Sequence, residues 1–387
     1  MVKQGYKRTE IGVIPEDWDT VLLKDVCKFI GGGTPSKRVS EYWDGNIPWV
    51  SSSDINDNDV RSININRYIT EKAVAMSATQ KCPKGTILVV SRVGVGKVAL
   101  SDCEVCTSQD FTNIVPKDHV PLFLTYTLVP IMQGKANEAQ GTSIKGVTAE
   151  SIKQTVVLFP ERSEQERIAE ALSDVDNMIS SLEKLITKKK AVKQGAMQEL
   201  LTGKKRLPGF CGEWETYKLD DLLRYEQPTK YIVHSSEYTE QGTPVLTAGK
   251  SLVLGYTVET DGVYEDLPVI IFDDFVTSSK YITYRFKVKS SAMKMLTPKK
   301  QGMNLKLIYE MMQMIDFTPV DHQRHWISQY SQFEIKLPST AEEQNAIAAV
   351  LTDMDKEIEV LVQKLDKTRR LKQGMMEQLL TGRIRLA

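Results

Sequence analysis

Two glycine-rich segments of this 387-residue chain raise the question of phosphate binding. Gly94-Val95-Gly96-Lys97 matches the end of a phosphate-binding loop, in which backbone amides and a lysine hold the phosphates. Ser91 replaces the first glycine of that motif, however, and Val98 replaces the serine or threonine that would hold magnesium. Gly31-Gly32-Gly33 lacks the spacing of a dinucleotide-binding loop and favours a flexible turn or a close backbone approach. We therefore expect no nucleotide site.

Few side chains are spaced as metal ligands. Cys103-x-x-Cys106 is the one close cysteine pair, and zinc would need further ligands such as Cys82 and His119, so buried or inactive thiols are favoured. His322-x-x-His325 has no third ligand at a recognisable spacing, and Asp273-Asp274 is more typical of a turn at a strand end. The sequence also contains no H-E-x-x-H, G-x-S-x-G or Asn-Pro-Pro-aromatic segment. It therefore predicts neither a metal site nor a catalytic site.

Polar and basic residues in glycine-rich stretches favour recognition by surface loops instead. Lys and Arg hold phosphates, whereas Gln, Arg, Ser and Thr can read base edges in the major groove of DNA. The candidates in the first part of the chain are Thr34, Ser36, Lys37, Arg38, Ser51, Ser52, Arg92, Lys97, Gln109, Ser143 and Lys145. Those in the second part are Thr247, Lys250, Tyr256, Lys280, Tyr281, Lys299, Lys300, Arg324 and His325. We expect these residues to contact DNA.

The overall charge gives no support of its own for nucleic-acid binding. Lys and Arg total 50, as do Asp and Glu, so the formal net charge is zero and only local patterning can be used. Hydrophobic residues at 41% and charged residues at 26% are typical of a globular protein and exclude a wholly disordered or collagen-like chain.

Three features favour a cytoplasmic protein. The longest apolar runs, such as 267–272, are far shorter than the roughly 18 residues that a membrane span requires. Residues 1–10 lack the apolar core of a signal peptide. The five cysteines, an odd number at scattered positions, do not indicate a disulfide framework. We expect no contact with a membrane.

An internal repeat organises the chain. Residues 164–207 align without gaps on residues 343–386, at an offset of 179, and 20 of these 44 positions are identical. Each copy predicts one long helix of about 40 residues, or roughly 60 Å at 1.5 Å per residue. Ser163 with Glu166, and Thr340 with Glu343, have capping-box spacing, and each repeat has a glycine, Gly203 or Gly382, where a left-handed residue would close the last turn.

Apolar residues in both predicted helices recur at steps of four and three, which is typical of a coiled-coil seam. The positions are Ile168, Leu172, Val175, Ile179, Leu182 and Ile186 in the first helix, and Ile347, Leu351, Met354, Ile358, Leu361 and Leu365 in the second. The first half of each helix is acidic and the second half is basic, with seven acids and two bases in 161–183 and eight bases and one acid in 184–206. Antiparallel pairing sets opposite charges side by side. It also returns the end of the chain to its beginning.

The fold class is therefore α+β, with two strand-rich globules separated by two long antiparallel coiled-coil helices, in a pseudo-two-fold and nearly circular arrangement. The boundaries are 1–158 for the first globule, 159–207 for the first helix, 208–337 for the second globule and 338–387 for the second helix. Strands are predicted at 86–90, 97–100, 155–159, 269–272, 281–288 and 333–337, with a helix at 305–315. The globules begin alike, Ile14-Pro15-Glu16-Asp17-Trp18 matching Phe210-Cys211-Gly212-Glu213-Trp214, and then diverge.

Several motifs accompany this order of globule, helix, globule and helix. They are the two Lys-Gln-Gly-x-Met-x-x-Leu-Leu-Thr-Gly segments from Lys193 and Lys372, Ile14-Pro15-x-x-Trp18, Gly32-Gly33-Thr34-Pro35-Ser36 followed by Trp43-x-Gly45-x-Ile47-Pro48-Trp49, and Pro160 or Pro338 before Glu164-Gln165 or Glu343-Gln344. Together they resemble the specificity subunit of type I restriction-modification systems, over the entire chain.

The resemblance implies a non-catalytic subunit with two target-recognition domains. Each domain would read one half of a bipartite site in double-stranded DNA, while the paired helices set the spacer between the halves. The helices would also dock two modification subunits, which use S-adenosylmethionine to methylate adenine. Restriction subunits would add ATP-driven translocation and cleavage where they exist. S-adenosylmethionine, ATP and magnesium are thus expected on partner subunits, and no cofactor is expected on this chain.

Geometry and divergence sharpen this expectation. Two readers can approach one face of a duplex when their half-sites lie about one turn, roughly 34 Å, apart, and helices of about 60 Å suffice for that. Because the globules differ after their entry segments, the half-sites should differ and the site should not be palindromic. Two rivals stay open: a coiled-coil scaffold that never reads DNA, and an enzyme whose site is assembled from scattered residues.

Overall fold

The computed structural model describes residues 4–56, 59–140, 146–247, 252–317 and 325–386. The chain forms two compact units: unit 1 is Met1–Glu183 with Gln363–Ala387, and unit 2 is Lys184–Val362. Within the described ranges, no helix combines the length and the hydropathy needed to cross a lipid bilayer.

The first globule belongs to unit 1 and contains eleven strands among its described residues. These are β1 (Tyr6–Thr9), β2 (Gly12–Pro15), β3 (Asp19–Leu22), β4 (Cys27–Gly31), β5 (Ile47–Val50), β6 (Tyr68–Ile69), β7 (Ile87–Val90), β8 (Val98–Leu100), β9 (Cys106–Thr107), β10 (Phe111–Pro116) and β11 (Val156–Phe159). Its helices are α1 (Leu23–Val26), α2 (Glu71–Ala75), α3 (Pro121–Gln140) and α4 (Ala149–Lys153).

The central sheet of the first globule has the antiparallel order β4-β10-β7-β8. All four residues of β7, Ile-Leu-Val-Val, are buried, so both faces of this strand are covered. Beside this sheet, β5 pairs antiparallel with β6 and parallel with β9, while β3 pairs with β11. The 20-residue helix α3 was missed by the sequence analysis. Phe123, Leu124, Tyr126 and Leu128 are all buried, so its apolar residues do not follow one helical face, and Pro130 lies inside it.

Helix α5 (Arg162–Leu200) is the first of the two predicted long helices, and 39 residues run through it without interruption. The capping box predicted at Ser163 and Glu166 is wrong, because the helix begins at Arg162. The Glu161 carbonyl accepts the amides of Glu164 and Gln165 instead, at 3.0 Å each, and Glu166 Oε1 accepts from Arg162 Nε at 3.1 Å.

The second globule belongs to unit 2. Its strands are β12 (Trp214–Lys218), β13 (Leu223–Glu226), β14 (Thr243–Leu246), β15 (Val253–Thr257), β16 (Val269–Asp273), β17 (Ser279–Ile282), β18 (Lys287–Val288), β19 (Met293–Pro298) and β20 (Glu334–Pro338). Its helices are α6 (Leu219–Leu222), α7 (Leu305–Met312) and α8 (His325–Ser328).

The strand order of the second globule repeats that of the first. The central sheet is β13-β19-β16-β17, β14 lies between antiparallel β15 and parallel β18, and β12 pairs with β20. In each globule a helix, α3 or α7, follows the strand at the second position of the sheet. Two globules that share little sequence beyond their entry segments therefore share one topology.

Most predicted elements of the globules are confirmed. The segments 86–90, 97–100, 155–159, 269–272 and 333–337 correspond to β7, β8, β11, β16 and β20, and the helix at 305–315 corresponds to α7. The single strand predicted at 281–288 is wrong. It divides into the end of β17 and the separate β18, since β17 pairs with β16 whereas β18 pairs with β14.

Helix α9 (Ala341–Leu379) is the second long helix, also of 39 residues. At its start Thr340 Oγ1 accepts the Glu343 amide at 3.4 Å, but the Glu343 carboxylate binds Arg206, so only half of the predicted capping box forms. The predicted left-handed glycines are confirmed, with φ of +70° at Gly203 after α5 and +69° at Gly382 after α9.

Ion pairs fix the direction of helix pairing inside each unit. In unit 1, Asp176 pairs with Lys372 and Glu183 with Arg369, each at 2.6 Å, so the number of the α9 residue falls as that of the α5 residue rises. In unit 2, Lys189 pairs with Glu357 and Lys193 with Asp355, also at 2.6 Å. The predicted antiparallel arrangement is confirmed in both units.

Most seam residues are buried, and those nearest the start of each helix belong to the apolar cluster that the helix pair shares with a globule. The buried positions are Ile168, Leu172, Ile179, Leu182, Ile186, Ile347, Leu351 and Leu365, and the half-buried ones are Val175, Met354, Ile358 and Leu361. In unit 1 the cluster joins Ile168 and Leu172 to Phe123 and Leu379, and in unit 2 Ile347 and Leu351 join Leu307. Each globule is thus fused to its helix halves by apolar packing.

Candidate nucleic-acid interface

The strand register of the first globule gathers several loops at one edge of its central sheet. Gly31 at the end of β4 lies opposite Thr112, and Val90 at the end of β7 lies opposite Phe111 at the start of β10. Because antiparallel neighbours turn at the same edge, the loops 32–38, 91–97 and 108–110 meet there. Strand β5 ends beside β9, which brings residues 51–54 to the same edge. We call this loop cluster edge 1.

Backbone contacts hold edge 1 together. Gly33 N donates to Thr107 O at 2.8 Å, and Ser91 N donates to Asp110 O at 2.8 Å. A Cβ added to Gly32 would lie 1.8 Å from Ser108 O, and one added to Gly33 would lie 2.4 Å from the backbone of residues 78 and 79. The close backbone approach predicted for this segment is therefore confirmed at Gly32 and Gly33, where a larger residue would displace the loop.

Nine of the predicted residues of the first part of the chain lie at edge 1. They are Thr34, Ser36, Lys37, Arg38, Ser51, Ser52, Arg92, Lys97 and Gln109. Thr34 Oγ1 and the Gln109 side chain are hydrogen-bonded to each other. Ser36, Lys37, Arg38, Arg92 and Gln109 are exposed. The other two candidates, Ser143 and Lys145, lie outside the described residues.

Arg67 is a residue of this region that the sequence analysis missed. Its guanidinium lies 4.8 Å above the buried Trp49 ring, forms an ion pair with Asp54 and donates to Ser51 Oγ at 2.5 Å. Asp54 Oδ2 also accepts the Ser51 amide at 2.7 Å. Ser51 therefore helps to fix the turn that carries Ser52. No local pattern signals Arg67, because its partners lie more than ten residues away in the sequence.

The same register creates an equivalent edge 2 in the second globule. Asp273 ends β16 opposite Met293, which starts β19, and β14 ends beside β18. Lys289 N donates to Leu246 O and Asp274 N donates to Ala292 O, both at 2.9 Å. Edge 2 thus consists of residues 247, 274–278 and 289–292.

The predicted residues of the second part of the chain are scattered. Thr247 lies at edge 2, and exposed Lys280 lies in β17 beside it. Tyr256 pairs with Pro244 at the far end of β14. Lys299 and Lys300 follow β19 at the opposite end of the central sheet, where Lys299 Nζ contacts Asp220. Sequence position alone could not reveal which strand ends share an edge.

Two other candidates pack against the protein rather than extending into solvent. Tyr281 is half-buried and packs on Tyr309 of α7, with ring centroids 5.8 Å apart. His325 is 2% exposed, so its proposed contact with DNA is not retained, and its amide donates to Asp274 O at 3.0 Å. Lys250 and Arg324 lie outside the described residues, as does His322.

The residues considered for other chemistry are structural. Gly94 and Gly96, with φ of +84° and +106°, form the turn between β7 and β8, whereas a phosphate-binding loop leads into a helix. Burial raises the pKa of the Cys82 thiol to about 12, and the five cysteines are free. Buried thiols such as Cys82 are inert.

One group of three potential metal ligands converges among the described residues: His234, Glu259 and Asp261. Lys287 Nζ lies 2.7 Å from Glu259 Oε2, and this hydrogen bond, with the Ser235 amide, lowers the pKa of Glu259 to about 2. The buried ammonium already supplies the positive charge, so the group is an ion-pair cluster.

The Glu-Gln pairs clamp each globule to the helices. Glu164 is 2% exposed and binds Arg385 Nε and Nη2 at 2.7 Å each, while Trp18 Nε1 donates to it at 3.2 Å. Burial alone would raise the pKa of Glu164, but hydrogen bonds from Arg385 and Trp18 hold it below its usual value. The amide of the neighbouring Gln165 donates to Pro160 O at 2.9 Å and accepts from Val120 N at 3.0 Å.

Unit 2 repeats this clamp. Arg206 binds Glu343 at 2.6 and 2.7 Å and lies 5.7 Å from the centre of the Trp214 ring. Gln344 donates to Pro338 O at 2.8 Å and accepts from Asn304 N at 3.2 Å. In both units the glutamine therefore contacts the start of the helix, α3 or α7, that follows the central sheet.

Comparisons with known proteins agree with this geometry. The family model described as the type I restriction modification DNA specificity domain matches residues 15–194 and 212–368. The type I restriction enzyme MjaIX specificity subunit of Methanocaldococcus jannaschii is 30% identical over 336 residues, which are 82% of this chain and 74% of that protein. The EcoR124I/EcoR124II specificity subunit of Escherichia coli is 44% identical over 158 residues, or 39% of each chain.

Solved structures show the same fold. The S subunit of a type I restriction-modification system from M. genitalium superposes with a TM-score of 0.64 at 15% identity, over 94% of this chain and 96% of that one. A second structure, from work on complex assembly and conformational transition of the type I system, gives 0.56 at 15% identity, over 96% and 99%.

Proposed function

The chain belongs to the type I restriction-modification DNA specificity family, and we propose that it reads a bipartite, asymmetric site in double-stranded DNA, with one half-site at edge 1 and the other at edge 2. One observation carries the assignment of the two edges: the globules share a strand order, yet the loops at their equivalent edges are unlike. Two domains with the same strand order but different loops are suited to recognising two different DNA sequences.

The partners follow from family membership. We propose that two modification subunits dock on this chain and methylate adenine with S-adenosylmethionine, and that restriction subunits, where present, add ATP-driven cleavage. S-adenosylmethionine, ATP and magnesium then belong to those subunits, and this chain is non-catalytic. Partner subunits would supply much of the nonspecific phosphate contact, which agrees with a net charge of zero. Five free cysteines support a cytoplasmic location.

Methylation sequencing tests the proposal. The chain is expressed with its neighbouring methyltransferase in a host that lacks both, and the methylated adenines are mapped. We expect one new motif in two unlike parts separated by a fixed spacer. A methyltransferase expressed without this chain is the control and should give no such motif. The absence of a motif with both subunits present and soluble would favour the scaffold alternative.

We further propose that the number of residues in α5 and α9 determines the spacer. Both helices run without interruption for 39 residues. Inserting four residues into each helix, at positions that keep opposite charges paired, should lengthen the spacer of the methylated motif. An unchanged spacer in an active variant would refute this part of the proposal.

A further inference from the structure

The loop between β16 and β17 carries two large apolar side chains in solvent at edge 2. Phe275 is 41% exposed and Val276 is 56% exposed. We propose that Phe275 and Val276 read the 5-methyl group of a thymine in the half-site bound by the second globule. This inference rests on the proposed function and names the base contact made by that edge.

The position of the loop supports a contact with DNA. It joins the third and fourth strands of the central sheet, as the loop 91–97 does in the first globule. That loop carries Arg92, one of the predicted DNA contacts of edge 1, and beside it the exposed Val93. Two loops at the same place in one topology lie at the same end of their sheets.

The β16–β17 loop is held in one conformation. Asp273 Oδ1 accepts the amides of Phe275 and Val276 at 2.8 and 3.2 Å, and Asp273 N donates to Ser278 O at 2.9 Å. Thr277 has φ of +55°, a left-handed conformation that a β-branched residue rarely adopts. The apolar side chains are therefore fixed outward by their own backbone.

The base of the loop is anchored as firmly. Asp274 is fully buried, pairs with the buried Lys294 at 3.2 Å and accepts the Trp326 amide at 2.9 Å. Both carboxylates of the loop are thus turned into the protein. What faces outward is apolar or neutral, without the negative charge that would repel phosphates.

The chemistry of the exposed residues selects the base. Residues 274–278 contain no lysine or arginine, so they offer no cation to a phosphate and no bidentate contact to guanine. In the major groove the apolar feature of a base pair is the thymine methyl group, which phenylalanine and aliphatic side chains contact. A protein partner that covers the same two side chains is the rival outcome.

Replacing thymine by uracil removes only the methyl group and so tests this contact. Methylation sequencing first identifies the two half-sites, and the complex with modification subunits is then titrated with duplexes carrying uracil at single thymines of the second half-site. We expect one such replacement to weaken specific binding about 5- to 20-fold, which corresponds to about 1–2 kcal/mol. The double variant F275A/V276A should bind the thymine duplex that much more weakly and lose its response to uracil.

Two controls make the result specific. Val258→Ala removes an apolar side chain of unit 2 that is 75% exposed, outside edge 2, and should leave both affinities unchanged. Val93→Ala should leave the uracil response of the second half-site intact.

A wild-type complex whose affinity does not change with uracil, or a double variant that keeps the full response, overturns the inference. A double variant that loses affinity for modification subunits but keeps the response also overturns it, and assigns the loop to a protein contact. Failure of the proposed function would differ, because no bipartite motif would then be found.

Discussion

In units 1 and 2, equivalent residues of the long helices form the same aspartate–lysine ion pair, but each globule adds a different group to that pair. Asp176 and Asp355 are equivalent in the helix repeat, as are Lys372 and Lys193, and each aspartate pairs with one of these lysines at 2.6 Å. In unit 1 the globule adds a neutral group, Tyr126, whose hydroxyl donates to Asp176 Oδ2 at 2.7 Å. Burial and the neighbouring Asp176 raise the pKa of Tyr126, which keeps its proton in place for this bond.

In unit 2 the globule adds a second ion pair. Lys306 and Glu310 of α7 lie 2.6 Å apart, and Lys306 also binds Asp355 at 2.9 Å. Burial alone would raise the pKa of Asp355, but hydrogen bonds from Lys193 and Lys306 bring it below the ordinary value. The repeated helices thus contribute the same aspartate–lysine pair in both units. The first globule adds a tyrosine hydrogen bond to it, and the second adds a lysine. A shared frame can in this way carry two different readers.

Among the variants that test this comparison, Lys372→Met is expected to have the largest effect on stability. Asp176 is nearly buried, and the loss of its lysine would leave an uncompensated carboxylate, at a cost of about 3–5 kcal/mol. The matched variant Lys193→Met should cost less, because Asp355 keeps Lys306 and is 37% exposed. Hydrogen exchange followed by mass spectrometry measures the loss in each unit separately. Equal losses of stability would show that the groups added by the two globules stabilise the aspartates equally.

The next effect compares the two helix ends. Gly382→Ala places a Cβ 2.6 Å from Pro15 in addition to the strain of a left-handed alanine, whereas the atoms nearest Gly203 are 3.8 Å away. We expect about 1–2 kcal/mol for Gly203→Ala from backbone strain alone and about twice that for Gly382→Ala. Thermal unfolding of both variants checks the order. The reverse order would mean that the contact of Gly382 with Pro15 is relieved without cost.

A smaller effect, on DNA affinity, should distinguish residues at the two edges from residues at the opposite ends of the sheets. Arg92→Ala at edge 1 is expected to weaken specific DNA binding by about 1–3 kcal/mol and to relax one position of the first half-site. Lys299→Ala, which removes a charge from the opposite end of the second sheet, should change specific affinity by less than about twofold. Titration of the complex with its methylated site measures both. A large loss for Lys299→Ala would move the DNA-binding surface of unit 2 away from edge 2.

The smallest effect is the pH dependence that Asp355 contributes to the stability of unit 2. Because the folded-state pKa of Asp355 lies below its unfolded value of 3.8, its contribution is complete above that pH and is lost as the pH falls through the folded pKa. Solvent screening keeps this contribution small, since the side chain is 37% exposed. Hydrogen exchange in unit 2, followed from pH 6 to about 3, should show this loss of stability. The variant Asp355→Asn should reduce the dependence of the stability of unit 2 on pH.

Local patterns explain how much of the fold was predictable. The seam from Ile168 to Ile186, the charge gradient and the glycines at 203 and 382 each act within a few turns of one helix, so periodicity is enough to read them. Helix α3 was missed because its buried residues follow no single face. The segment 281–288 was misjudged because its two ends pair with different strands.

The candidate interface was predictable only in part, for a related reason. In the first globule the predicted loops adjoin strands β4, β7 and β10, whose ends meet at edge 1. In the second, Lys299 and Lys300 follow β19 at the end of the sheet opposite edge 2, and the uncharged Phe275 and Val276 at edge 2 match none of the residue types that the sequence analysis selected. Which strand ends coincide depends on pairing between segments tens of residues apart.

By itself the sequence determined the two helices, their antiparallel sense and the family, because repeat, period and charge are properties of neighbouring residues. The tertiary structure decided that both globules have one strand order, which loops form edges 1 and 2, and which polar groups complete Asp176 and Asp355. Those outcomes depend on hydrogen bonds and packing between distant segments, and such contacts exist only once the chain has folded.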